Sequence, residues 1–136
     1  MTAKDYLCQI ERIELNIRQI EERIVELREV AASAGSPGFE ASTGSGRSSR
    51  VETAVIKLRT LEDKLILKKS KLIAMRGRFQ KQILQLDDIR YVKILMMRYV
   101  NGMKLTDISD EIGYGYDYTC TLHGQALDAF AKTHGF

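Results

Sequence analysis

The sequence predicts an all-α protein, a long antiparallel helical hairpin or coiled coil followed by a C-terminal helix-turn-helix domain. Three observations carry that expectation. The single Pro, at residue 37, stands among Gly35, Gly38, Gly44 and Gly46, so the chain outside this stretch is nearly free of helix breakers. On both sides of it apolar residues recur at alternating spacings of four and three, the heptad signature of a narrow-seamed helix. Around Gly113 two short segments of helical period meet at a glycine turn.

The first helix follows from Tyr6, Ile10, Ile13, Ile17, Ile20, Ile24, Leu27, Ala31 and Ala34, a seam kept over residues 1–34. Charges fill its other faces, among them Glu11, Arg12, Glu14, Arg18, Glu21, Glu22 and Arg23, and at 1.5 Å per residue it spans roughly 45 Å. So narrow a seam requires a partner helix. Residues 35–50, rich in Gly and Ser around Pro37, read as a flexible connector. They do not read as a phosphate cradle, because the GxxxxGK[ST] pattern and a preceding strand are both missing.

The second helix is predicted over residues 51–86. Its seam is Val51, Ala54, Leu58, Leu61, Leu65, Leu72, Met75, Phe79 and Leu86, with Lys68 and Gln82 in the two slots that are not apolar. Ile66, Leu67, Ile73 and Ile83 widen the apolar face, which fits a hairpin whose outer side also touches a second chain or the C-terminal domain. A homodimer is therefore expected, and the seams can pair within a chain, between chains, or both.

The formal charge of +3 is unevenly placed: residues 51–86 hold nine bases against three acids, while residues 87–136 are net acidic. Lys64, Lys68, Lys69, Lys71, Arg76, Arg78 and Lys81 form a row without an acid, which either balances the Glu-rich first helix or meets phosphate.

In residues 87–136, Asp87 or Asp88 caps a helix carrying Ile89, Val92, Met96 and Tyr99, and Asn101-Gly102 stops it. Thr106 is the expected N-cap of a two-turn helix with Ile108 and Ile112 inside. Gly113 makes the corner, Tyr114 closes the turn, and a last helix buries Leu122, Ala126, Leu127 and Phe130. Of the tyrosines, Tyr91, Tyr99 and Tyr114 are assigned to the core and Tyr116 and Tyr118 to the surface.

Several function classes lose support. The 44% hydrophobic and 29% charged composition is that of a globular protein, and no apolar run approaches the ~18 residues of a membrane span. The start of the chain has no leader-like pattern, so a cytoplasmic location and no membrane partner are expected. Cys8 and Cys120 stand far apart without a CxxC, and His123 and His134 lack ligand-spaced neighbours, which argues against a metal or a disulfide framework. Asp107, Asp110 and Glu111 cluster on the exposed face of a short helix and imply no pocket. No nucleophile or cofactor motif is present, so neither an enzyme nor a cofactor is expected.

The run Arg98-Tyr99-Val100, Leu105-Thr106-Asp107-Ile108, Glu111-Ile112-Gly113-Tyr114-Gly115-Tyr116 and Leu122-His123-Gly124-Gln125-Ala126-Leu127 resembles small phage and prophage proteins whose C-terminal part is similar to sigma factor region four. Tyr6-Leu7, the charged first helix, Ser36-Pro37 and the second helix are similar to that family's N-terminal half. The resemblance implies a late-gene transcription regulator of the RinA and ArpU type, acting in a bacterial host on double-stranded promoter DNA. It also implies activation of packaging or structural genes, with host RNA polymerase as a further expected partner.

By that resemblance Tyr116, Asp117, Tyr118, Cys120 and Thr121 face DNA, and Lys64, Lys68, Lys71 and Lys81 would supply the charge. Sigma factor region four usually carries arginines here, whereas this helix has no base from Gly115 until Lys132. Two alternatives stand beside this reading. One is a polymerase-docking protein that does not read DNA. The other is a DNA-recognition subunit like the small subunit of a packaging terminase, although its helix-turn-helix would be expected at the N-terminus.

Overall fold

The computed structural model describes residues 1–34 and 44–136, and all regular structure there is helical. The elements are α1 (Ala3–Leu7), α2 (Gln9–Ala34), α3 (Gly44–Ile83), α4 (Ile89–Leu95) running into a π-helical turn (Met96–Val100), α5 (Leu105–Ile112) and α6 (Tyr116–His134). The all-α expectation holds. No described helix is long and apolar enough to cross a membrane.

The chain divides into two compact units, residues 14–71 and residues 1–13 with 72–136. These limits differ from boundaries at 34, 50 and 86, because apolar side chains from both ends of the chain share one core with the end of α3. Residues 35–43 of the expected connector, Ser36-Pro37 included, lie outside the described residues, and from Gly44 the chain is already helical. The second long helix thus begins seven residues before Val51, and it ends at Ile83 instead of Leu86.

In the unit of residues 14–71, α2 and α3 pair within the chain. Arg28 Nη2 meets Glu62 Oε1 at 3.2 Å, while Asn16 and Lys68 line one groove, so rising numbers on α2 face falling numbers on α3 and the pair is antiparallel. Ile17, Ile20, Ile24 and Leu27 are buried against Ala54 and the half-buried Leu58, Leu61 and Leu65. Each fully buried side chain of this size contributes about 1.5–3 kcal/mol, which a surface pair such as Arg28–Glu62 does not match.

In the other unit the Thr2 hydroxyl caps α1, accepting from Asp5 N at 3.1 Å, and Asp5 Oδ2 accepts from Thr2 N at 3.3 Å. That reciprocal bonding holds the Asp5 carboxyl below its ordinary range. Leu7, Phe79, Ile83, Ile94, Leu95, Ile108, Ala126 and Phe130 have no exposed surface. Tyr6 lies 4.7 Å from the Phe79 ring and 4.8 Å from the Phe136 ring. Its hydroxyl donates to Gln82 Oε1 at 2.8 Å, which explains an amide in an otherwise apolar seam. His134 Nε2 donates to the Gln82 carbonyl at 2.9 Å and ties the end of α6 to the end of α3.

Asp88 is the cap of α4, accepting from Arg90 N at 2.9 Å. The helix then widens: Asn101 N bonds Met96 O and Met103 N bonds Met97 O, both at 2.9 Å, before Gly102 turns the chain at φ 70°.

Candidate nucleic-acid interface

The corner between α5 and α6 depends on Gly113, whose φ of 76° and ψ of 18° lie in the left-handed region that disfavours side chains. Its N–H bonds Ser109 O at 3.0 Å and closes α5. At the other end Lys104 is the N-cap of α5, with no side-chain cap bond, so Thr106 lies one residue inside the helix and its carbonyl accepts from Ser109 Oγ at 2.7 Å. The cap reading of Thr106 is thereby corrected, and the buried Ser109 keeps its hydroxyl satisfied.

Gly115 opens α6, and its carbonyl accepts from both the N–H and the hydroxyl of Thr119 at 2.9 Å. Thr119 can therefore be fully buried with its oxygen paired, the same answer a polar residue needs anywhere in a core. Thr119, Leu122, Ala126 and Phe130 form the inward face of α6. On the outward side Tyr116, Asp117, Tyr118 and Thr121 are exposed, and Cys120 is half-buried. The Thr121 hydroxyl donates to Asp117 O at 3.1 Å. Gln125 continues the exposed column at i+4 from Thr121 and was not singled out from sequence.

Tyr114 corrects its assignment to the core: it is exposed, and its ring meets Tyr118 edge to face at 5.0 Å and 82°. The Tyr118 hydroxyl in turn accepts from Arg90 Nη1 at 2.9 Å. Arg90 is gripped by Asp88, with Nη2 to Oδ2 at 2.8 Å and Nε to Oδ1 at 3.2 Å. These bonds hold the Asp88 carboxyl below its usual range and raise the guanidinium further. A cation thus stands beside the leading turn of α6, supplied by α4 across 28 positions of sequence. One signal was available: a base in the first turn of α4 opposes the helix dipole and calls for a compensating partner.

Behind the turn, Tyr99 Oη and His123 Nε2 share a hydrogen bond of 2.8 Å, with their rings 5.6 Å apart. Burial pushes the Tyr99 phenol up to about 12 and, helped by the charges of Arg98 and Lys4, pushes His123 down. His123 is a packing residue. The exposed Tyr116 phenol is raised by hydrogen bonding with Cys120 and by the Asp117 charge.

The lysine row divides. Lys64, Lys68 and Lys71 share one face of α3 at i, i+4 and i+7 in the unit of residues 14–71, whereas Lys81 belongs to the other unit. Lys64 and Lys68 line an open groove of about 320 Å³ with Asn16, Gln19, Ile20, Arg23 and Leu61. Arg23, also unforeseen from sequence, adds a third base there, while its Nη1 pairs with Glu26 Oε2 at 3.0 Å. None of Lys64, Lys68, Lys71 and Lys81 forms an ion pair among the described residues.

No protein-family model, no curated protein and no solved structure matches this chain.

Proposed function

We propose that this protein is a DNA-binding transcription regulator of the phage late-gene kind, in which the leading turn of α6 enters the major groove. One observation carries the reading. Gly113 turns α5 into α6 so that Thr119, Leu122 and Ala126 are buried while Asp117, Thr121 and Gln125 form an exposed column at the start of α6, the arrangement by which a recognition helix presents short polar side chains to base edges. Asp117 accepts from cytosine N4, the Thr121 methyl group meets a thymine methyl, and Gln125 pairs with adenine.

Phosphate contacts come from Tyr116, Tyr118 and Arg90 beside the helix, with Cys120 packed under Tyr116. The unpaired Lys64, Lys68, Lys71 and Lys81 supply the attraction that acidic residues 87–136 lack. The resemblance to late-gene regulators supports activation of packaging or structural genes, with RNA polymerase as the second partner. The net acidity of residues 87–136 favours one other reading, in which the same surface docks on polymerase alone.

Selection from a random double-stranded library by the full chain separates the two. Enrichment of a common sequence supports DNA reading. A pool that stays random while the chain still binds polymerase transfers the function to docking.

A further inference from the structure

α3 carries a second apolar face on the side away from its seam. Val55, Ile56, Ile66 and Leu67 are 51%, 67%, 64% and 71% exposed, in the unit of residues 14–71. At 100° per residue they fall with Glu52, Arg59, Asp63 and Ser70 within an arc of about 120°, opposite Ala54, Leu58, Leu61 and Leu65. The exposed apolar residues of α2, such as Leu15, Val25 and Val30, point in different directions and make no such stripe.

The order of residues along this face is its own antiparallel complement. Turning a second copy of α3 end for end about the level of Leu61 places Val55 beside Ile66, Ile56 beside Leu67, Arg59 opposite Asp63 and Glu52 opposite Ser70. Every apolar side chain then meets another, and no like charges meet. A parallel copy would instead set Arg59 on Arg59 and Asp63 on Asp63, which is repulsive. Both charged residues are exposed, and neither is in an ion pair among the described residues.

We infer that this face binds a second copy of the chain, giving an antiparallel α3–α3 homodimer with its two-fold axis at the level of Leu61 and two reciprocal Arg59–Asp63 pairs. An isologous contact repeats each pairing twice, so a four-residue stripe becomes an eight-residue apolar layer flanked by ion pairs. The stripe is about 18 Å long, a small interface, and its dimer dissociates on dilution. Because α2 covers the opposite side of α3, the hairpin seam is undisturbed when two chains meet.

Sedimentation equilibrium of the full chain tests this with three variants. The wild type should show a reversible monomer–dimer equilibrium. Arg59→Asp alone sets Asp against Asp63 twice and should raise the dissociation constant at least about tenfold. Arg59→Asp combined with Asp63→Arg restores both pairs with signs exchanged and should return the constant to near the wild-type value. Ile66→Glu, on an exposed position, should leave the circular dichroism unchanged and give a monomer. A monomeric wild type, a combined swap no tighter than the single one, or an Ile66→Glu dimer as tight as wild type would each overturn the inference.

Discussion

Replacing Gly113 and Gly124 by alanine in separate variants makes the same chemical change with opposite expected signs. An added Cβ meets no atom within 4 Å at either position, so neither effect is a clash and each reads the backbone alone. Gly113 sits at φ 76°, where an L side chain costs roughly 1–2 kcal/mol. Gly124 lies inside α6 with helical geometry, where alanine gains up to about 1 kcal/mol by restricting the unfolded chain and favouring the helix. The two variants should therefore differ by about 1–3 kcal/mol, with Gly113→Ala below wild type and Gly124→Ala above it. Urea unfolding followed by circular dichroism reads both midpoints, and an unchanged slope shows that stability alone has moved. If Gly113→Ala matches wild type, the left-handed corner between α5 and α6 is wrong. If Gly124→Ala is the less stable of the two, the continuity of α6 is wrong.

Ile17, buried in the hairpin seam, should not tolerate a carboxylate: Ile17→Asp is expected to cost several kcal/mol and lower both the helicity and the melting temperature, and an unchanged melt would discard the seam. His123 titrates below its ordinary value when folded, so the folded state binds fewer protons than the unfolded one. Its contribution is full above about pH 6.5 and is lost as the pH falls through the folded value, so melting temperatures should drop across that window and His123→Gln should flatten the drop. Asp88, with its carboxyl held down by Arg90, contributes stability that is present above about pH 4 and is lost below it, and Asp88→Asn should weaken that second, more acid step. Replacing Lys64, Lys68, Lys71 and Lys81 by Gln should flatten the dependence of log K on log salt by up to ~0.9 for each phosphate no longer neutralised, nearly equally on all duplexes, and an unmoved slope would confine DNA binding to the other residues.

The seams were legible because heptad spacing is a direct print of which face meets another helix: Ile17, Ile20, Ile24 and Leu27 are buried as their spacing requires. The start of α3 was hidden by composition. Gly44, Ser45 and Gly46 are weak helix formers one by one, but propensity is a prior that the surrounding structure overrides, and the helix includes them. Gly113 could be read as a corner since few residues other than glycine accept that conformation, whereas the exposure of Tyr114, with its ring edge to face against Tyr118, could not, because a lone aromatic in a turn carries no periodicity that marks a face.

The largest omission was Arg90. No base stands near the start of α6 itself; the cation comes from α4, and a contact between residues 90 and 118 leaves no periodic trace in either segment. The pairing of Tyr6 with Gln82 was hidden for the same reason, although an amide in an apolar seam marks a place where a partner is required.

The central claim is that the first turns of α6 choose the DNA sequence, and a paired titration of Asp117→Ala and Thr121→Ala tests it most directly. Each variant is measured on the selected duplex and on a scrambled one at the same salt concentration. Removing one base-reading side chain should cost roughly 1–3 kcal/mol on the selected duplex and much less on the scrambled one, so the ratio of the two affinities should fall by about tenfold. A ratio unchanged in both variants would contradict the claim, leaving α6 as a surface that meets protein and not DNA.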